Sequence, residues 1–210
     1  AQMSSVQAIS GASAGDMAKL SALAKEMGAT TQFTAVESGK ALEYMAMAGW
    51  KTKQMIGGLP GIMNLAAASG EDLGSVSDIV TDALTAFRMN AEDAGRFADV
   101  LAQASSNANT NVGMMGATFQ KVAPVAGALG YSVEDMSLAI GLMANASIKA
   151  DVAGTSLKTS LANMAKPTKQ MKAYMDRYGI SLTRSDGTMK TFREVVDNLR
   201  GSLGGLSEAE

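Results

Sequence analysis

Five helix-start signals recur along this chain, and they exclude a single long rod before any other feature is considered. Thr34-Ala-Val-Glu37 is a capping box: a hydroxyl followed three residues later by a carboxylate, which together satisfy amides that the first turn of a helix leaves unpaired. Ser132-Val-Glu-Asp135 and Thr191-Phe-Arg-Glu194 repeat the device, and Ser69-Gly-Glu-Asp72 and Asn90-Ala-Glu-Asp93 are close variants. Gly28, Gly49 and Gly130 follow apolar periodic runs and read as helix stops. No heptad pattern survives past a cap, so a continuous coiled coil is ruled out.

Between the caps the apolar spacing is helical. Met17, Leu20, Leu23, Ala24 and Met27 share a face, as do Ile79, Val80, Ala83, Leu84 and Phe87, and then Phe97, Val100, Leu101 and Ala104. Composition agrees: roughly one residue in six is Ala and 16 are Met, both good helix formers, while aromatics make up 5%. Small residues let helices approach closely, and Met fills irregular gaps and adaptable surfaces. The expected fold is all-α, about nine short helices in helical hairpins, with one exception. Ile180–Thr183 and Thr188–Lys190 flank Ser185-Asp186-Gly187, an Asp-Gly turn signal that predicts a small β-hairpin near residues 180–190. Residues 1–165 read as a helical core module. Residues 166–210 read as an appendage: a break at Lys166-Pro167, a helix from Lys169 to Tyr178, the hairpin, and a helix from Phe192 to about Leu203. Ala1-Gln2-Met3-Ser4-Ser5 has neither the charged nor the apolar part of a signal peptide. The chain reads as a fragment of a longer protein, with the polar tail from Gly204 as the start of its next segment.

Several function classes are hard to build from these residues. The chain contains no His and no Cys, which removes disulfides, thiolate nucleophiles, imidazole bases and most zinc or iron sites. Glu37/Glu43, Asp78/Asp82 and Asp93/Asp99 are carboxylate pairs on paper, but each lies among polar residues where a cap or a solvated face explains it. General acid–base work needs a carboxyl in an apolar, concave setting. Gly57-Gly-Leu-Pro-Gly61 lacks the Lys-Ser/Thr end of a phosphate loop and reads as a kinked connection with Pro60 near the start of the next helix. A net charge of −2 and the absence of aromatics among Lys166, Lys169 and Lys172 give no ground for nucleic-acid binding. No enzyme, cofactor or metal is expected.

What remains is surface. From Val100 to Ile148 only Lys121, Glu134 and Asp135 are charged, so this stretch is either the most buried part of the molecule or the part that meets another surface. Gln54–Gly70 is likewise uncharged. Trp50, the only tryptophan, sits at a helix exit and is either a packing anchor or an interface anchor. The candidate interaction residues are Trp50, Met55, Ile56, Leu59, Met114, Met115, Leu142 and Met143.

Ordered blocks of the chain are similar to the conserved core region of tail tape measure proteins from long-tailed phages and prophages. They are Gly28–Glu37, Ala46–Lys51, Gly61–Leu73, Ser77–Leu84, Ala104–Thr110, Val122–Tyr131, Ala139–Ala144 and Ala153–Leu157, followed by the Lys166-Pro167 break. Ser147-Ile-Lys-Ala150 departs from the Gly-rich segment usual there. The resemblance covers nearly the whole chain. It implies a structural segment involved in tail assembly and tail length determination, released during genome ejection, with no catalytic residues here. Implied partners are other copies of the chain, tail tube and tail-tip proteins and tail assembly chaperones, with host membrane contact for some members. Implied locations are the virion, in the tail lumen, and the bacterial host cytoplasm during assembly. The alternative is a membrane-active module in which Gln54–Gly70 and Met136–Ile148 insert into the host envelope to help DNA entry.

Overall fold

The structure, a computed structural model, describes residues 2–205. Among them are eleven α-helices: α1 (Gln2–Ser10), α2 (Ala14–Thr30), α3 (Ala35–Met47), α4 (Thr52–Ser69), α5 (Leu73–Ala86), α6 (Ala94–Ser106), α7 (Val112–Leu129), α8 (Val133–Asn145), α9 (Ala150–Ala165), α10 (Lys169–Arg177) and α11 (Phe192–Leu203). A 3₁₀ turn, Ala91–Asp93, precedes α6. The capping boxes at Thr34, Ser132 and Thr191 all form, with each hydroxyl accepting from the amide three residues on. Asp72 caps α5 and Asn111 caps α7 in the same manner. The expectation attached to residues 206–210 lies outside the described residues.

The helices stack in two rows. Each odd-numbered helix from α1 to α9 packs on the next odd one, and α2, α4, α6, α8 and α11 do the same in the second row. Neighbours in sequence pack across the rows, and one continuous apolar core fills the space between them. This is the architecture of an α-solenoid, in which each helix pair contacts mainly its neighbours. Tight turns make consecutive helices antiparallel, so members of a row run parallel. Five turns use one device. Gly49, Arg88, Gly130, Ser147 and Gly179 adopt left-handed conformations, with φ between +56° and +84°. The next residue in each case, Trp50, Met89, Tyr131, Ile148 or Ile180, returns its amide to the carbonyl five residues earlier. That bond closes the helix end while the apolar side chain covers it. The outer side of α9 exposes Thr155, Ser156, Lys158, Thr159 and Ser160, so the first row ends on a polar helix.

Four sequence expectations are corrected. The helix count is eleven among the described residues, against about nine expected; α10 falls where the sequence placed it, while no cap motif in the sequence announces α1. The β-hairpin at 180–190 does not form strands. The chain reverses at Asp186-Gly187, but the pairing is a single bridge between Thr183 and Met189. Two backbone bonds, Arg184 to Thr188 and Lys190 to Leu182, are its whole ladder. The Ser181 hydroxyl takes the Thr183 amide, and no third strand lies alongside, so pairing stops there. Gly57–Gly61 is not a connection: it lies inside α4, with Pro60 in the helix interior. Its glycines serve close packing, for Gly58 leaves room for the Trp50 ring and Gly61 lies against the backbone of Gly95 in α6. Gly28 is not a stop either; α2 continues to Thr30, and Gly28 accommodates the backbone of Ala35.

Residues beyond Pro167 attach to the second row. Phe192 meets the Tyr131 ring edge-on at 6.4 Å between centroids, and its amide donates to Asp135 Oδ1 at 3.1 Å. The helix α10 carries no buried residue.

Candidate interaction surface

The second row is tightly closed between α4 and α6, where Gly61 and Gly95 meet, and opens between α6 and α8. The capping box at Ser132 starts α8, and the inner face of that helix buries Val133, Met136, Ala139, Ile140 and Ala144. Helical spacing then puts Leu138 and Leu142 one turn apart on the outer face, 36% and 52% exposed. Facing them on α6 are Val100 and Ala104, with Gln103 and Asn107 along the rim. A cavity of about 320 Å³ lies between, floored by Ser137 and Gly141.

The groove is nearly free of net charge. At one end the Arg96 guanidinium donates to Glu134 Oε1 from Nη2 at 2.6 Å and from Nε at 2.9 Å. Burial pushes the Glu134 carboxyl up, but hydrogen bonds from its own amide and from Arg96, together with the Arg96 charge, hold it below the usual carboxylate range. At the other end Asn145 Oδ1 accepts from the Asn109 amide at 2.8 Å. The Ser137 hydroxyl is buried on the floor with no hydrogen-bond partner. An unpaired buried hydroxyl costs free energy.

The same region holds other exposed apolar side chains. Among the ten exposed large hydrophobic residues described, five fall on α7–α9 and the turn between α8 and α9: Met114, Leu138, Leu142, Ile148 and Val152. The charge-poor stretch therefore does two things. Its inner side is core, with Phe119 of α7 edge-on to Phe97 at 5.6 Å and to Phe87 at 6.0 Å, and its outer side is open and apolar.

The candidate residues named from sequence divide accordingly. Met55, Leu59 and Met115 are fully buried, and Trp50 is 6% exposed against Gly58. Ile56 and Met143 are half-buried against the core. Met114 is 39% exposed, and Leu142 alone of the eight lines the groove. Leu138, Gln103, Ser137 and Gly141 were not singled out; the low charge of Val100–Ile148 is the signal that pointed to their neighbourhood.

The three carboxylate pairs do not gather at one site. Glu37 closes the Thr34 capping box, Glu43 accepts from Gln2 Nε2, and Asp93 accepts from the Asn90 amide. Desolvation and then the Asp78 charge push the Asp82 carboxyl up, although its side chain lies at the surface on α5. No group of three or more His, Cys, Asp or Glu among the described residues could hold a metal ion, and no helix among them is long and apolar enough to cross a membrane. Lys166, Lys169 and Lys172 are exposed, and Lys172 pairs with Asp176 at 3.2 Å.

A family model described as phage-related minor tail protein matches residues 21–210. The chain belongs to this family. Over 210 residues it is 39% identical to a tape measure protein of Pneumococcus phage Dp-1, a match that covers all of this chain and 18% of the relative. Over 214 residues it is 23% identical to a probable tape measure protein of Escherichia phage P2, covering 99% of this chain and 26% of that relative. The chain thus spans about a fifth to a quarter of the curated relatives it matches. No solved structure matches it.

Proposed function

We propose that the chain is a structural, non-catalytic segment of a phage tail tape measure protein, acting in tail assembly and tail length determination and leaving the tail during genome ejection. The observation that carries this is the similarity to a tape measure protein along the entire chain, at 39% identity. The fold adds physical content. A stack of short capped helices is compact along its axis, unlike a rod, so the segment is a module attached to the ruler and not the ruler itself. Its proposed location is the tail lumen of the virion, and the host cytoplasm while tails are being built. Its proposed partners are other copies of itself, the tail tube and tail-tip proteins and the assembly chaperones. The apolar face formed by α6, α8 and the start of α9 is the surface proposed to meet them. Of the residues named from sequence, Met114 and Leu142 are the two whose exposure supports such a contact. Residues 1–165 are proposed as the core module, with 166–210 as its appendage.

The test is genetic and visual. In the phage that encodes this chain, an in-frame deletion of residues 2–205 is expected to abolish tails or yield tails of aberrant length in negative-stain micrographs. Tails of normal number and length would refute a role in assembly.

A further inference from the structure

We propose that residues 168–205 are a releasable end cover on the second row. They swing away from α8 as one unit about Lys166-Pro167, while the stack of α1 to α9 stays folded. The two rows end differently. In the first row α9 is fixed in place. It buries Ala153, Gly154, Leu157 and Leu161. A methyl group at Gly154 would stand 3.0 Å from the Thr118 carbonyl oxygen, and the Thr118 hydroxyl donates to the Ala150 carbonyl at 3.0 Å. In the second row the place beside α8 falls to α11, while α10 joins neither row and buries nothing. Helical spacing gives α11 an apolar stripe of Phe192, Val195, Val196, Leu199 and Leu203. Of these Val195 alone is buried, and Leu203 is 43% exposed. A repeat stack needs its end covered, and here the cover is the helix of its row with the fewest buried residues.

The unit is tied to itself more firmly than to the stack. Asn198 Oδ1 accepts from the Ser181 amide at 3.1 Å, and Asn198 Nδ2 donates to the Gly179 carbonyl at 3.1 Å, which joins the end of α10 to α11. Arg184 Nε donates to Glu194 Oε1 at 3.2 Å, which joins the chain reversal to α11. Across the boundary with the stack, a single hydrogen bond runs among the described residues, from the Phe192 amide to Asp135 Oδ1, and no ion pair does. The Phe192 ring against Tyr131 is the latch beside it, and Met189 adds apolar contact with the core. A segment with few buried contacts outward and several bonds inward opens below the free energy of global unfolding, and opens whole. Opening uncovers the Tyr131 ring and the α8 surface beneath α11.

Native-state hydrogen exchange on the whole chain tests this, with mass spectrometry resolving the segments. In the parent, the protected amides of residues 168–205 are expected to exchange faster than those of α4, α5 and α7. Phe192→Ala removes the latch and should speed exchange about thirtyfold across α10, the reversal and α11 alike, with α4, α5 and α7 unchanged. Ile62→Val deletes one methylene from the core side of α4 and should do the converse: about fivefold faster in the stack, with no change in residues 168–205. Circular dichroism checks that both variants fold. Equal acceleration of stack and cover by Phe192→Ala would show that they open only together, and overturns the proposal. Acceleration confined to α11 overturns it as well, since residues 168–205 would then not move as a unit. No acceleration anywhere does the same, since the latch would then hold nothing.

Discussion

Replacing Gly61 with Ala tests the close packing on which the stack depends. Gly61 sits inside α4, where Ala is the better helix former by about 1 kcal/mol, so local propensity alone predicts a gain. The packing predicts the reverse. A methyl group at Gly61 would stand 2.7 Å from the Gly95 nitrogen, 2.8 Å from its Cα and 3.0 Å from the Ala94 carbonyl carbon. Optimal separation for such atoms is about 3.5 Å or more, so α4 and α6 must part by something on the order of 0.7 Å. All three atoms are backbone, and no rotamer change relieves them. The cost therefore falls at the upper end for overpacking, about 3 kcal/mol. Offsetting about 1 kcal/mol of helix propensity leaves a net loss of about 2 kcal/mol, or roughly 4–8 °C in Tm for a chain of this size. Gly201→Ala in α11 is the control: nothing lies within 4 Å of its new methyl group, so a gain of about 0.5–1 kcal/mol is expected. Both are read by urea unfolding followed at 222 nm. If Gly61→Ala matches or exceeds the parent while Gly201→Ala gains, the close contact between α4 and α6 does not exist.

Other consequences are open to the same kind of measurement. Trp50→Ala removes a ring 6% exposed and should cost about 3–5 kcal/mol; in the parent, the single tryptophan should emit at short wavelength and shift red on unfolding at the midpoint seen by circular dichroism. Thr34→Ala, which dismantles a complete capping box, should cost about 1 kcal/mol, and the same change at the exposed Thr155 on α9 should lie within about 0.5 kcal/mol of the parent. The acid limb of stability should follow the caps. Hydrogen bonds from the Thr34 backbone to Glu37, from Ser75 to Asp72 and from Thr191 to Glu194 hold these carboxyls below their ordinary values of 4.5, 3.8 and 4.5. Their stabilisation is present above those ordinary values and is lost as pH falls through the lowered ones. Glu194→Gln should therefore flatten a pH–Tm profile below about pH 4.5, and an unchanged slope would show that this cap is inert. Asp82 carries the opposite sign. Its raised carboxyl favours the folded state at low pH, so Asp82→Asn should raise Tm slightly near neutrality and lose that advantage in acid.

Local features were legible in the sequence because local chemistry makes them. The boxes at Thr34, Ser132 and Thr191 need only residues three apart, and Lys166-Pro167 ends α9 because proline excludes helix from the residue before it. The glycines were harder, since one residue type serves two purposes. Gly130 caps α7 in a left-handed conformation, as expected, but Gly28 and Gly57–Gly61 lie inside helices and permit close approach to elements distant in sequence. Conversely, Arg88 and Ser147 take left-handed turn positions that glycine usually marks, and their turns carried no stop signal. The division into two rows depends on contacts between every second helix, which no local pattern encodes. The surface was legible only in outline. In helices where almost every residue is small or apolar, spacing does not say which face meets water, so Met55, Leu59 and Met115 were grouped with Leu142 although only the last is exposed. Low charge between Val100 and Ile148 was the more dependable guide, because the outer face of α8 lies within it.

Whether this chain is a structural part of a phage tail is decided by quantitative peptide mass spectrometry on purified particles of the encoding phage, before and after DNA release. Peptides from residues 2–205 are expected at a fixed number of copies per intact particle, with their depletion once DNA has left. Intact, full-length tails in which those peptides are absent would contradict a structural role in the tail.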